Sequence, residues 1–217
     1  ERILADFGFD RRGDERARDR LAALTEPFDL DSLPTFDGAT VAVAGAGPNL
    51  GDETEAAAAA DRVIAASSAT KTLRDAGVTV DLAVTDLDGT PEYLAAASHE
   101  GLPVTVHAHG DNVDALERWV SEFAADRLLP TTQAAPTAHV RNFGGFTDGD
   151  RAAFLADALG AAELRFVGWQ FDGSDVGEMK AKKLRWAARL LYWLETRRGE
   201  RFAVLDGLRE KLTLPSE

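Results

Sequence analysis

The chain has 217 residues, 45% of them hydrophobic, no cysteine, and a formal net charge of −13 from 24 basic and 37 acidic residues. That length suits one large domain with at most a small appendage, and the missing cysteines exclude disulfides and thiolate metal sites. No stretch approaches the roughly 18 consecutive apolar residues of a membrane span, and the acidic balance argues against duplex nucleic acid, which asks for a basic surface.

Residues 1–35 are charged and helix-like, with Ala17, Leu21 and Leu24 at helical spacing, and read as a small N-terminal helical cap. Pro27 and Pro34 mark an irregular link. From residue 36 to 217 strand and helix signals alternate. Strands are expected at 39–44, 62–66, 80–84, 102–107, 138–141 and 164–167. Helices are expected at 53–60, 68–76 (closed by Gly77), 91–98, 112–125, 148–159, 180–197 and 201–212. Strands spaced by helices of that length predict an α/β domain, a mostly parallel sheet with helices on both faces.

The densest chemical signal is Val84-Thr85-Asp86-Leu87-Asp88-Gly89, at the carboxyl end of an apolar strand and just before Thr90-Pro91. Ligands bind at that edge of an open α/β sheet. Two residues apart on a straight strand, Asp86 and Asp88 would share a face. Paired carboxylates repel each other, and magnesium relieves that while binding substrate phosphates. A surface turn with two solvated acids is the plainer alternative. Val106-His107-Ala108-His109-Gly110-Asp111-Asn112 ends the next strand. Asp111 there is a candidate further ligand or base. His107 and His109 alternate, so one of them is expected to face the site, with His109 as a supporting donor. A transition metal stays open, but oxygens outnumber imidazoles and favour magnesium.

Gly45-Ala46-Gly47-Pro48-Asn49 follows the first strand, where glycines let a backbone approach a phosphate; a tight strand-to-helix turn explains them equally well. Asn142-Phe143-Gly144-Gly145-Phe146-Thr147-Asp148-Gly149-Asp150-Arg151 is a glycine-rich loop running into a helix, with Asp148 as the expected N-cap. Phe143 and Phe146 could flank a planar ring or fill the core. Arg151 could reach a phosphate or pair with Asp148. Thr131-Thr132-Gln133 offers hydroxyl and amide groups to a heterocycle.

Only five of the 24 basic residues are lysine, and three of those fall at Lys180, Lys182 and Lys183. An acidic, lysine-poor, alanine-rich chain suits a cytoplasm whose salt screens it, as in salt-loving archaea, although a GC-rich genome gives a similar bias. A cytoplasmic location is expected. Lysines retained together against that trend point to a phosphate partner, with Lys180 and Lys183 on one face and Lys182 on another.

In this order, TDLDG, HAHGDN, TTQ, NFGGFTDGDRA and KAKKL, with FGFD near the start and GAGPNL after the first strand, resemble the archaeal 6-hydroxymethyl-7,8-dihydropterin pyrophosphokinases over about residues 1 to 212. Those are distant relatives of the thiamine pyrophosphokinases, whose catalytic-domain fold the resemblance implies. It implies transfer of diphosphate from ATP to a pterin alcohol, with AMP as product. Asp86, Asp88 and Asp111 would be catalytic and hold Mg2+. ATP would meet Gly45, Gly47, Asn49, Arg151, Lys180 and Lys183, and the pterin would meet Gln133, Asn142, Gly144, Gly145 and Thr147. Two departures are Ser67-Ser68, where relatives often carry Asp-Gly, and Trp169-Gln170-Phe171-Asp172, where Met-Asp is commoner. The other readings are a thiamine-type enzyme, a nucleotide-sugar glycosyltransferase-like enzyme and a catalytically silent nucleotide-binding regulator. A homo-oligomer is left open.

Overall fold

The computed structural model describes residues 2–171 and 177–214. Among these it forms one six-stranded, wholly parallel sheet of β1 (Thr40–Ala44), β2 (Arg62–Ala66), β3 (Leu82–Thr85), β4 (Val104–Ala108), β5 (Leu128–Thr132) and β6 (Glu163–Val167) in the order β5-β4-β3-β2-β1-β6. The strands are apolar runs because both faces are covered. Ala42, Ala44, Val63, Ala65, Ala83, Val104 and Val106 point into one core, and Val41, Val43, Ile64, Leu82, Val84 and Leu129 into the other. That is the period-2 alternation of a pleated strand.

The first core is closed by α2 (Arg11–Leu24), α3 (Thr54–Ala58), α4 (Ala69–Asp75), α5 (Pro91–His99) and α6 (Val113–Trp119). The second is closed by α7 (Asp148–Ala158) and α8 (Glu178–Arg198). Chain order steps one strand at a time from β1 to β5, and then α7 crosses the other face to set β6 beside β1. The predicted α/β class and parallel sheet are what the chain adopts. The N-terminal segment is helical, α1 (Arg2–Phe7) then α2, and Ala17 and Leu21 of α2 are fully buried in the first core.

Three expected elements differ. The strand expected at 138–141 is reduced to isolated bridges, Arg141 to Thr131 on the outer edge of β5 and Thr137 to Val140. The strand itself is β5, whose Pro130 reads as a breaker in sequence. Proline is tolerated on an edge strand, whose outer side carries no full ladder, and here Pro130 uses only its carbonyl there, accepting the Arg141 N–H at 3.1 Å. The helix expected at 112–125 ends at Trp119 and continues as short 3-10 turns. The helix expected at 201–212 is two separate 3-10 turns, Ala203–Leu205 and Arg209–Lys211, with Gly207 at positive φ between them.

Candidate active site

The carboxyl ends of β3, β4 and β5 and the N-terminus of α7 meet at one point. Asp86 and Asp88 do not share a straight strand as expected, because β3 stops at Thr85. Thr85 Oγ1 accepts the Leu87 N–H at 2.9 Å, Leu87 takes a left-handed φ of 71°, and the Asp88 N–H donates to Asp86 Oδ1 at 3.2 Å. The turn, rather than the pleat, brings the two carboxylates together. Their third neighbour is Asp148: oxygens of Asp86, Asp88 and Asp148 all lie within 4.8 Å of one another.

Asp148 was expected as the N-cap of α7, but Thr147 takes that place in a capping box with Asp150. The Asp150 carboxylate accepts the Phe146 and Thr147 N–H groups at 2.5 and 2.9 Å. Asp148 is thereby the first helical residue, aimed at Asp86 and Asp88. The Thr-x-x-Asp spacing of Thr147 and Asp150 was the signal in the sequence.

Asp111 is not in this group. It is exposed after the Gly110 turn, and its backbone N–H reaches His109 Nδ1 at 3.4 Å. Asn112 pins the turn: its amide donates to Asp86 O and His107 O, both at 2.8 Å, and accepts the His109 N–H at 3.0 Å. Nothing in the motif had singled out Asn112 as the clamp between the β3 and β4 loops. Of the two histidines, His109 faces the carboxylates, its Nε2 3.5 Å from Asp86 Oδ2. His107 is buried and turned toward Thr131 Oγ1 at 3.1 Å.

Arg151 is 6% exposed and is the chief cation at the cluster, with Nη1 3.2 Å from Asp148 Oδ1 and 3.9 Å from Asp86 Oδ2. Burial pushes Asp86 up, but His109, Arg151 and the Asp88 N–H outweigh it and hold this carboxyl below the usual range. Asp88, although exposed, moves the other way, raised by partial desolvation and by the charge on Asp86, with Lys183 and His109 opposing. Asp148 is pushed well up, by burial first and then by Asp86. Three carboxylates with one buried arginine are under-neutralised. An all-oxygen donor set at this spacing is what a hard divalent cation such as magnesium takes.

The glycine motifs have structural roles. Gly45 and Gly47 donate their N–H groups to Val167 O and Gly168 O at 2.9 and 2.7 Å. A Cβ on Gly47 would come within 2.5 Å of Gly168 O. The close approach of the β1 and β6 loops therefore explains both glycines, and neither amide is free to cradle a phosphate. Asn49 is tied to Glu53 at 2.8 Å. Gly144 and Gly145 have φ of 100° and 88°, and side chains there would strike Phe154 and the Arg151 backbone. Asn142 braces the same loop, donating to Ala134 O at 2.8 Å and accepting the Gly144 N–H at 2.9 Å.

Phe146 is buried against Phe7 at 5.0 Å and cannot sandwich a ring, whereas Phe143 borders a small cavity with Thr105, His107 and Arg151. Among the described residues, His107 Nε2, Thr105 Oγ1 and Arg151 Nε are buried there without a hydrogen-bond partner. Gln133 bonds to Arg151 Nη2 at 3.2 Å. Ser67 touches the acidic turn, its hydroxyl donating to Asp88 O at 3.2 Å from a backbone at φ 45°. Trp169 is fixed by an indole N–H bond to Val43 O at 3.0 Å, while Asp172 of the same motif lies outside the described residues.

Along α8, Lys182 donates to Asp6 O at 2.6 Å and sits over the Phe7 ring at 4.6 Å, so it holds α1 in place. Lys183 is exposed and acts on Asp88 through its charge. Lys180 is exposed near the start of the helix.

Residues 18–175 match the family described as 6-hydroxymethylpterin diphosphokinase MptE-like. The chain belongs to this family. It is 41% identical over 217 aligned residues to the 6-hydroxymethyl-7,8-dihydropterin pyrophosphokinase of Methanothermobacter thermautotrophicus, covering 89% of this chain and 91% of that protein. It is 42% identical to the protein of the same description from Pyrococcus furiosus, covering 90% of each. A third, from Methanocaldococcus jannaschii, is 31% identical over 89% of this chain and 92% of its own. The family is one of diphosphokinases, and the acidic cluster lies at the carboxyl edge of the parallel sheet, the edge where open α/β sheets bind ligands.

Proposed function

We propose that the chain transfers the β,γ-diphosphate of ATP to the hydroxymethyl oxygen of 6-hydroxymethyl-7,8-dihydropterin, and that Asp86, Asp88 and Asp148 hold the magnesium the reaction needs. The observation that carries this reading is the three-carboxylate cluster within 4.8 Å, in a chain of this family. The acceptor oxygen forms a bond to the β-phosphorus as the bond from that phosphorus to the α,β-bridging oxygen breaks. AMP leaves with the electron pair, and the alcohol proton is lost to solvent. When bound, magnesium neutralises the triphosphate and the charge gathering on the leaving oxygen.

The protein's own share is positioning and electrostatics. Asp86 stays ionised beside His109 and Arg151 and is ready to bind a cation. Asp88 and Asp148, each raised by desolvation and by Asp86, gain most from one. Arg151 orients Asp148 and Asp86, and its buried Nε has no partner among the described residues. Lys183 offers charge at the Asp88 side, where a phosphate would lie. Incubation with ATP, magnesium and a panel of alcohols, followed by mass spectrometry, tests this reading. AMP should appear with the pterin alcohol. No AMP with the pterin, or AMP only with thiamine, overturns it, and nucleotide-sugar turnover without AMP would favour a glycosyl transfer instead.

A further inference from the structure

A cavity of about 120 Å³ lies between α2 and the loops after β4 and β5, lined by Phe9, Asp14, His109, Asp111 and Gln133 among others. It adjoins the acidic cluster through His109, which faces Asp86 at 3.5 Å. Asp14 is 3% exposed, and among the described residues its carboxylate accepts from neutral donors, the Gly110 N–H at 2.8 Å and Gln133 Nε2 at 2.9 Å. An ionised carboxylate has about four lone-pair sites. A buried one is costly unless those sites are used.

Two glycines bring it there. A Cβ on Gly13 would come within 3.3 Å of Gly110 Cα, and one on Gly110 within 3.2 Å of the Gly13 carbonyl carbon. Helix α2 therefore rests directly on the β4 loop, and the next residue, Asp14, is fixed at the cavity wall. Gln133 cannot turn its amide, because Nε2 donates to Asp14 while Oε1 accepts from Arg151 Nη2 at 3.2 Å. Asp14 is thus joined through one side chain to the arginine that orients Asp86 and Asp148.

We propose that this cavity seats the pyrimidinone half of the acceptor heterocycle and that Asp14 reads its 2-amino-4-oxo edge. The inference rests on the pterin reading above and names the residue that selects for it. That edge presents two adjacent donors, the ring N3–H and the 2-amino N–H. A carboxylate is the side chain that accepts both at once. An apolar cavity of about 150 Å³ takes benzene, so the space suits one ring of a bicycle whose other ring extends toward His109. Phe9, stacked on Phe7 at 5.4 Å, supplies an aromatic wall.

The test is a fluorescence titration of the full chain with 6-hydroxymethylpterin and with 6-hydroxymethyllumazine, which carries a 2-oxo group in place of the 2-amino. Asp14→Asn keeps an oxygen for the Gly110 N–H, pairs an acceptor with a donor toward the ligand, and turns its own amide N–H on Gln133 Nε2, so a melt is run beside the titration to check that α2 stays docked. Wild type should prefer the pterin. Asp14→Asn should lose about 30-fold in pterin affinity, the size of a charge-assisted hydrogen bond, and gain affinity for the lumazine. Unchanged pterin binding in Asp14→Asn, or an equal loss for both ligands, overturns the assignment while leaving the diphosphokinase reading intact. A wild type that binds neither ligand yet makes AMP with another alcohol overturns the pterin reading and this inference with it.

Discussion

Two groups of acids in the molecule are treated in opposite ways. At the sheet edge, Asp86, Asp88 and Asp148 crowd together with Arg151 as the chief cation, and two of the three carboxyls are raised. On α8, Glu195 is buried, and it accepts the Phe202 N–H at 2.5 Å and the Arg209 Nε and Nη2 N–H groups at 2.9 and 2.6 Å. Burial pushes Glu195 up, and Arg209 with the Phe202 N–H more than reverses it, so its carboxyl is lowered. Nearby, Arg198 pairs with Asp157 at 2.7 Å and Glu200 at 2.5 Å. One cluster is satisfied by the chain itself and serves stability. The other is left short of positive charge, which is the ground for the metal site proposed above.

The largest expected effect tests the unsatisfied cluster. Asp88→Asn should lower turnover by at least ~100-fold, the scale for lost charge stabilisation at a phosphate. It should not lower the melting temperature, since it removes a repelling charge. Magnesium should raise the melting temperature of the wild type and leave that of Asp88→Asn nearly unmoved. Wild-type turnover in Asp88→Asn would remove the contrast between the two clusters.

The satisfied cluster should behave in reverse. Glu195→Ala should cost about 3 kcal/mol, as for breaking a buried ion pair, or roughly 6–12 °C in melting temperature. Activity per folded molecule should hold. Because the Glu195 carboxyl is lowered in the fold, its stabilisation is complete above the ordinary glutamate range and is lost as pH falls through the folded value. Melts taken across that acid range should therefore converge for wild type and Glu195→Ala. A constant gap down to the lowest pH would show that packing, not charge, holds this corner.

A smaller effect separates two neighbouring lysines. Lys183→Ala should raise the ATP Michaelis constant by ~10-fold, about 1.4 kcal/mol, because its charge reaches Asp88. Lys182→Ala should leave that constant alone and loosen α1, since its partners are Asp6 and Phe7. The same ATP constant in both variants would remove Lys183 from the site.

Much of this was legible in residues whose neighbours are close in sequence. The strand-helix alternation gave the parallel sheet, and the Asp-x-Asp spacing marked the edge where Asp86 and Asp88 stand. What sequence reading missed depends on contacts between distant segments. Asp14 and Gln133 are 119 positions apart and meet only because Gly13 and Gly110 let α2 touch the β4 loop. Gly45 and Gly47 looked like a phosphate cradle because a cradle and a close loop crossing both require glycine; their partner, Gly168, is over 120 residues away. Asp148 was misplaced by one capping position, a local error with a large consequence, since an N-cap aspartate would have spent its carboxylate on backbone N–H groups.

The smallest expected effect concerns the surface, where the formal charge of −13 is mostly carried. Repulsion between exposed charges is screened within about 10 Å at 0.1 M salt and within about 3 Å at 1 M, while buried pairs are screened much less. Raising potassium chloride from low to molar concentration should therefore stabilise the fold by roughly 1 kcal/mol, or about 2–4 °C. Glu195→Ala should show the same gain, because the pair it breaks is shielded from the salt. A variant that loses its salt response would place Glu195 among the screened charges rather than the satisfied ones, and a flat wild-type profile would mean that surface repulsion is not what the acidic composition brings.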